Sequence, residues 1–257
     1  MNCMDNRNYT EYNARTWDHW AESGSEWSIP ITHEEFEQAK QGNWGVYLTP
    51  MKTVPKDWFP PMDGARVLGL ASGGGQQMPI FAALGADCTV FDYSDQQLAR
   101  EKMVAEREQY EIRIQKGDMT KPLPFADESF DLIFHPVSNC YVEEVDPIWR
   151  ECFRVLKKGG ILLAGLDNGL NFLFNDFDAL TVENKLPFNP LRNKKHYDLL
   201  MKDGDGFQFS HSLEEQIGGQ LKAGLRLTHV EDDYDRPGNG RLWEFAPCYI
   251  MTRAVKE

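Results

Sequence analysis

The chain of 257 residues has no paired-cysteine motif, no long apolar run and too few basic residues to balance its acids. Cys3, Cys88, Cys140, Cys152 and Cys248 are scattered without a C-x-x-C spacing, so no zinc site, iron–sulfur cluster or other metal centre is expected. No stretch approaches the roughly 20 apolar residues that span a bilayer, and Met1 to Arg7 lack the apolar core of a signal peptide. Free thiols in a reducing cytoplasm, with no membrane partner, are the expectation. Lys and Arg number 27 against 40 Asp and Glu, a net charge of -13. Nucleic-acid binders draw much of their affinity from neutralising phosphates. The only clear basic clusters, Lys157-Lys158 and Arg192-Asn193-Lys194-Lys195, are too small for such a footprint, so no nucleic-acid partner is expected.

What is present centres on Arg66-Val-Leu-Gly-Leu-Ala-Ser-Gly-Gly-Gly-Gln-Gln77, an apolar run that stops in three glycines before a helical segment. Such a strand, turn and helix start lets a ligand approach bare backbone and meet the unpaired N–H groups of a helix N-terminus. A nucleotide-like cofactor is one reading of this stretch, and a glycine turn without a ligand is the other. From Arg66 onward, short apolar runs alternate with helical stretches, the pattern of a parallel sheet flanked by helices. Strands are predicted at Val67 to Leu70, Cys88 to Phe91, Ile112 to Gln115, Phe130 to Phe134 and Ile161 to Leu166. Helices are predicted from Gln76 to Leu84, from a Ser94 cap through Leu98, Ala99, Met103 and Ala105, and from an Asp146 cap with Pro147 to Lys157-Lys-Gly-Gly160.

A Ser212-Leu-Glu-Glu215 capping box opens a further helix, and strands near 225–231 and 248–253 form an antiparallel closing pair. The predicted fold is α/β, a Rossmann-like doubly wound, mostly parallel seven-stranded sheet with an antiparallel C-terminal hairpin. Residues 1–62, rich in Trp and Tyr and broken by prolines, form a helical and irregular N-terminal cap, with helices at Glu11 to Glu22 and after the Thr32 to Glu35 capping box. Residues 63–257 form the cofactor-binding domain, with 168–210 as a substrate-side insertion. The aromatic rings of the cap serve either as packing anchors or, together, as a lid.

In a doubly wound sheet the ligand lies at the carboxyl ends of the strands, where the strand order reverses. Asp92 ends the second strand about twenty residues after the glycines; there it either holds a ribose diol or caps the next helix, a task Ser94 already performs. Asp118 either accepts an adenine amine, with Met119 against the ring, or is a plain loop aspartate.

In these features the chain resembles the class I S-adenosylmethionine-dependent methyltransferases of the small-molecule type, over roughly residues 65–167. The carriers are Val67-Leu-Gly-Leu-Ala-Ser-Gly-Gly-Gly75, Asp92-Tyr-Ser, Gly117-Asp-Met, Phe130-Asp-Leu-Ile-Phe and Leu156-Lys-Lys-Gly-Gly, in the family's order and spacing. Each is weak alone and the ordered set is specific. The resemblance implies S-adenosylmethionine as cofactor, S-adenosylhomocysteine as product, and cofactor contacts from Gly69, Ala71, Ser72, Gly73, Gly75, Gln76, Asp92, Tyr93, Asp118, Met119 and His135. Two departures stand out. Gly69 replaces the usual motif acid, leaving Ser72, Gln76 or loop carbonyls to hold the cofactor's amine. Ala71 replaces the first loop glycine, which is tolerable at a negative φ.

For transfer to a small-molecule acceptor, His135 is the candidate base, or else a histidine that bonds the backbone and shapes the pocket. Asn139 and Tyr141 are candidates to orient the acceptor, and Trp17, His19, Trp20 and Asn168 to contact it. A monomer or homodimer is expected. Two alternatives remain: a non-catalytic binder of the same cofactor, and an NAD(P) oxidoreductase, since Gly69-Leu-Ala-Ser-Gly-Gly74 also fits G-x-A-x-x-G. Against the latter, no Tyr-x-x-x-Lys is present.

Overall fold

The computed structural model describes residues 8–204 and 206–257. Its sheet contains β1 (Arg66–Leu70), β2 (Asp87–Asp92), β3 (Ile112–Lys116), β4 (Phe130–His135), β5 (Leu156–Asp167), β6 (Leu225–Asp233) and β7 (Tyr249–Lys256). The order is β3-β2-β1-β4-β5-β7-β6, with β7 antiparallel to both neighbours and β1 to β5 parallel. The chain leaves β1 toward β2 and β3, then returns to β4 on its other side, so the reversal of strand order lies between β1 and β4.

Period-two alternation divides the core between the two faces of the sheet. Val67, Leu132, Phe134 and Leu163 pack on one side with Ile80 and Phe81 of α3 (Met78–Ala83). Leu68, Ile133, Leu162 and Ala164 pack on the other with Ile148, Trp149, Cys152 and Val155 of α5 (Asp146–Val155). The first face also takes in Val46, Leu48, Val54, Trp58 and Phe59, so much of the aromatic N-terminal segment is core. α1 (Tyr9–Glu22) and α2 (His33–Lys40) precede it in the chain, and α2 opens with the predicted reciprocal capping box between Thr32 and Glu35.

Several local expectations shift for tertiary reasons. α5 ends at Val155, before the glycines, because Leu156 already pairs with Phe130. Val145 stands at its N-cap, with Asp146 and Pro147 as the first helical residues. In α4 (Asp95–Glu108) Met103 is exposed, and the buried stripe runs through Leu98, Glu101, Val104 and Ala105. Ser212 and Glu215 cap each other, yet the turn they open is π-helical, Glu214–Gly218, and leads into α7 (Gly219–Lys222). The carbonyl of Glu215 accepts from Trp149 Nε1 at 3.0 Å, occupying the acceptor that an α-helix would offer to Gly219.

The 168–210 segment carries α6 (Lys194–Asp203) and is tied to α1 by hydrogen bonds from Asn13 and by ring contacts. Asn13, buried, donates through Nδ2 to the carbonyls of Tyr141 and Phe207 and accepts from Phe207 N. Tyr9 and Tyr12 meet Phe209 and Phe207 edge-on at 5.2 and 5.3 Å. α1 and this segment thus form one roof over the carboxyl ends of the strands. Among the described residues, no helix is long and apolar enough to cross a membrane.

Candidate functional site

A cleft of about 1110 Å³ opens at the carboxyl ends of β1, β2, β4 and β5. Its floor is the turn after β1. Ala71 takes φ 47°, correcting the expectation of a negative value: the backbone here is left-handed despite the Cβ, a conformation that costs roughly 1–2 kcal/mol in a non-glycine residue. Its N–H is held by the Phe91 carbonyl at 2.8 Å, which ties the turn to β2. At Gly73 a Cβ would lie 2.7 Å from Gln97 Cβ and 3.0 Å from Asp92 Oδ2. Only glycine lets this backbone press against the end of β2.

Asp92 lines the cleft and accepts from Gly73 N at 3.1 Å through Oδ2 and from Ser94 N at 3.0 Å through Oδ1. It therefore both caps the turn and faces the cavity. Burial pushes its carboxyl above the usual carboxylate range, and the backbone amides oppose that rise. Ala71, Ser72, Gly73, Gln76, Tyr93, Asp118 and Met119 share this wall. Their polar groups are partly engaged within the protein. Ser72 Oγ donates to Gln77 Oε1, and Gln76 Nε2 donates to the carbonyls of Glu26 and Ile29. Asp118 accepts from Thr10 Oγ1 and from Thr120.

The structure does not bring every expected residue to the cleft. Gly69 lies beneath it, where a Cβ would meet Met78 Sδ at 2.8 Å; a motif acid has no room there unless Met78 moves. Gly75 is behind the turn, donating to Glu101 Oε1 at 2.7 Å and accepting from Ile31 N. His135 is fully buried and absent from the cleft wall. Its Nδ1 lies 2.9 Å from the Leu70 carbonyl and its Nε2 2.8 Å from the Asn139 carboxamide, which continues to Gln216. Burial pushes the imidazole below its ordinary value. A neutral ring satisfies this chain when Nδ1–H donates to Leu70 and the Asn139 and Gln216 amides are oriented to match.

His135 is therefore a core residue that locks β4 to β1, and its candidacy as an acceptor base is withdrawn. Asn139, also buried, is its partner and is likewise absent from the cleft wall. Tyr141 does line the cleft, with Trp17 edge-on to its ring at 5.4 Å. Trp20 braces that pair from behind, and His19 is exposed outside the cavity. Asn168 faces away, donating to the Pro247 carbonyl; Asp167 and Asn171 on either side line the cavity instead.

Four contributors escaped the sequence reading. Glu101, fully buried, grips the glycine turn, and burial raises its carboxyl to about 8. Its place on the buried stripe of α4, three residues after Leu98, was a readable signal. Asp18 of α1 accepts from Ser94 Oγ at 2.6 Å and from Gln96 N at 2.9 Å, capping α4 from another element. Asp167 ends β5 as Asp92 ends β2, and burial raises its carboxyl to about 6. Asp235, in the β6–β7 connection, lines the same end of the cleft.

Comparison with known proteins agrees with this layout. A methyltransferase-domain family model matches residues 68–164. YbaJ of Bacillus subtilis (strain 168), described as an uncharacterized methyltransferase, is 45% identical over 251 residues, covering 95% of this chain and 97% of its own. An S-adenosylmethionine-dependent methyltransferase from Mesorhizobium loti superposes with TM-score 0.61 at 18% identity, over 78% of this chain and 94% of its own. A geranyl diphosphate methyltransferase solved in complex with SAM gives TM-score 0.57 at 15% identity, over 78% and 82%.

Proposed function

Because the chain belongs to the methyltransferase family, we propose that it transfers a methyl group from S-adenosylmethionine to a small-molecule acceptor and releases S-adenosylhomocysteine. The observation that carries this reading is that the Ala71–Gly73 backbone, the Asp92 carboxylate and Asp118–Met119, at the carboxyl ends of β1, β2 and β3, line one cleft. The residues fit the cofactor. Bare backbone at Gly73 suits an extended chain, Asp92 suits a ribose diol, and Asp118 with the Met119 side chain suits an adenine edge and face.

When bound, S-adenosylmethionine supplies an electrophilic methyl on a sulfonium. The protein's own part is alignment and exclusion of water. Pro136, Val137 and Ser138 after β4 form the wall beside the reacting centre, while the roof of α1 and the 168–210 segment closes the cleft. Proximity and orientation of this kind can remove roughly 7–11 kcal/mol of barrier. The cavity exceeds the roughly 300–1,000 Å³ of ordinary single-ligand sites, leaving room for an acceptor beside the cofactor. The net charge of -13 disfavours a nucleic acid in that role.

The test is calorimetry with S-adenosylhomocysteine and with NAD, followed by transfer of labelled methyl into a metabolite extract. S-adenosylhomocysteine should bind and NAD should not. Asp92→Ala should weaken binding by about 2–3 kcal/mol, the scale of hydrogen bonds to a charged group. Binding of NAD alone would overturn the assignment, and cofactor binding without any label transfer would favour the non-catalytic binder.

A further inference from the structure

The end of the cleft farthest from the glycine turn has a different chemical character. β1, β4 and β5 are successive neighbours in the sheet, so Asp167 at the end of β5 is two strand spacings, about 10 Å, from the turn after β1. Asp167 and Asp235 are each only 7% exposed, and both line the cavity. Their partners are neutral: Gly169 N and Asn171 Nδ2 for Asp167, Arg236 N and Asn239 Nδ2 for Asp235. Among the described residues that line the cleft, Arg236 is the one Lys or Arg, and its guanidinium is paired with Glu26 and stacked over Trp27 at 4.3 Å. Neither carboxylate is in an ion pair among the described residues; the Arg236 guanidinium acts on Asp235 only through its field, and its direct partner is Glu26.

A second observation is independent of the acids. Asn184, 6% exposed and lining the cleft, donates through Nδ2 to the Phe172 carbonyl and to Asn175 Oδ1, which fixes its carboxamide oxygen as an acceptor; that oxygen has no partner. Asn171, held through its own Nδ2 to Asp167, likewise has an unpartnered buried oxygen. Buried polar atoms normally find partners. Both of these oxygens are acceptors, and with the two carboxylates they make this end of the cleft rich in acceptors. Phe172, Phe174 and Phe177 add ring surface to the same walls, where a cation and an apolar body are both accommodated.

Taking the cofactor to occupy the glycine-turn end, we propose that the Asp167–Asp235 end binds the acceptor, and that the acceptor is a cation: an ammonium or amidinium group on an apolar, ring-sized body. The carboxylates take the charge and its N–H groups, and the phenylalanines cover the body. Alcohols of the same shape lack the charge and carboxylates carry the wrong sign, so both are discriminated against.

The experiment is calorimetry on the full chain, with and without saturating S-adenosylhomocysteine, using tryptamine and phenethylamine as probes. The matched alcohols tryptophol and phenethyl alcohol, and the anion indolepropionate, are the comparators. The amines should bind at least about tenfold more tightly than the alcohols, and indolepropionate should not bind. D235N alone, and D167N/D235N, should lose that preference while S-adenosylhomocysteine affinity stays within about twofold. Thermal melting verifies that each variant is folded, and D235N leaves the β5 end untouched should the double variant fail to fold. Equal binding of amines and alcohols, no binding of either amine, or a preference that survives in D235N would overturn the proposal. So would a fall in S-adenosylhomocysteine affinity as large as that in Asp92→Ala, which would assign the carboxylates to the cofactor's own amine. Failure of S-adenosylhomocysteine to bind the unaltered protein, with the amine preference intact, would instead count against the cofactor reading alone.

Discussion

Two fully buried ionisable residues, Glu101 and His135, brace the turn after β1 from opposite sides, and their titrations oppose each other. Glu101 is raised from 4.5 to about 8 by burial, so the folded state holds its proton over a range in which the unfolded chain has released it. Its contribution therefore falls as pH rises between those values, by about 1.4 kcal/mol per unit at most. His135 is lowered from 6.5 by burial, so stability falls as pH drops below 6.5 toward its folded value. Glu101→Gln removes only the first effect. Its melting temperature relative to the unaltered protein should improve progressively between about pH 5 and about pH 8, read by calorimetric scans; a constant difference would contradict a buried, titrating carboxyl. His135→Ala should lower the melting temperature and leave the pH profile of turnover unchanged. Asp92 was legible because a carboxylate at a strand end is itself the signal. His135 shares that position, but two-residue alternation places it with Ile133, on the α5 side, where Trp149 meets its ring at 6.0 Å. Position along the strand was readable, and direction needed the parity.

Among the elements, the local signals held best where they were satisfied locally. The Thr32 capping box and the Ser94 cap both stand where the sequence put them. Departures occur where another element supplies the partner: Trp149 takes a carbonyl and α7 begins as a π-turn, while Phe130 pairs with Leu156 and α5 ends early. The same logic makes Asn13 the fastening of the roof. Its three hydrogen bonds join α1 to Tyr141 and Phe207, and no pattern in its neighbourhood announces that role. Asn13→Ala leaves buried backbone groups of Phe207 without partners and should cost about 2–3 kcal/mol. Hydrogen exchange should rise in α1 and the 206–210 stretch together, whereas a rise confined to α1 would show that the two are not one unit.

At the level of the whole molecule, the mostly parallel sheet with its antiparallel closing pair was readable because the ordered motifs carry a topology. The Asp167–Asp235 end of the cleft was not, because Asp167, Asn184 and Asp235 come from three separated stretches whose meeting only the fold arranges. The glycine turn itself lies beneath residues 26–31: Ile31 N donates to the Gly75 carbonyl, and Gln76 holds the carbonyls of Glu26 and Ile29. A molecule seated against that turn thus lies beside a strap stitched to its own seat. If departure works through that strap, the stitches open first, and motions of this kind commonly set the pace of enzymes. Rapid-mixing experiments should accordingly show a fast initial burst of methylated product and then a slower steady rate. Gln76→Ala, which cuts two of the stitches, should quicken the slow phase and spare the burst.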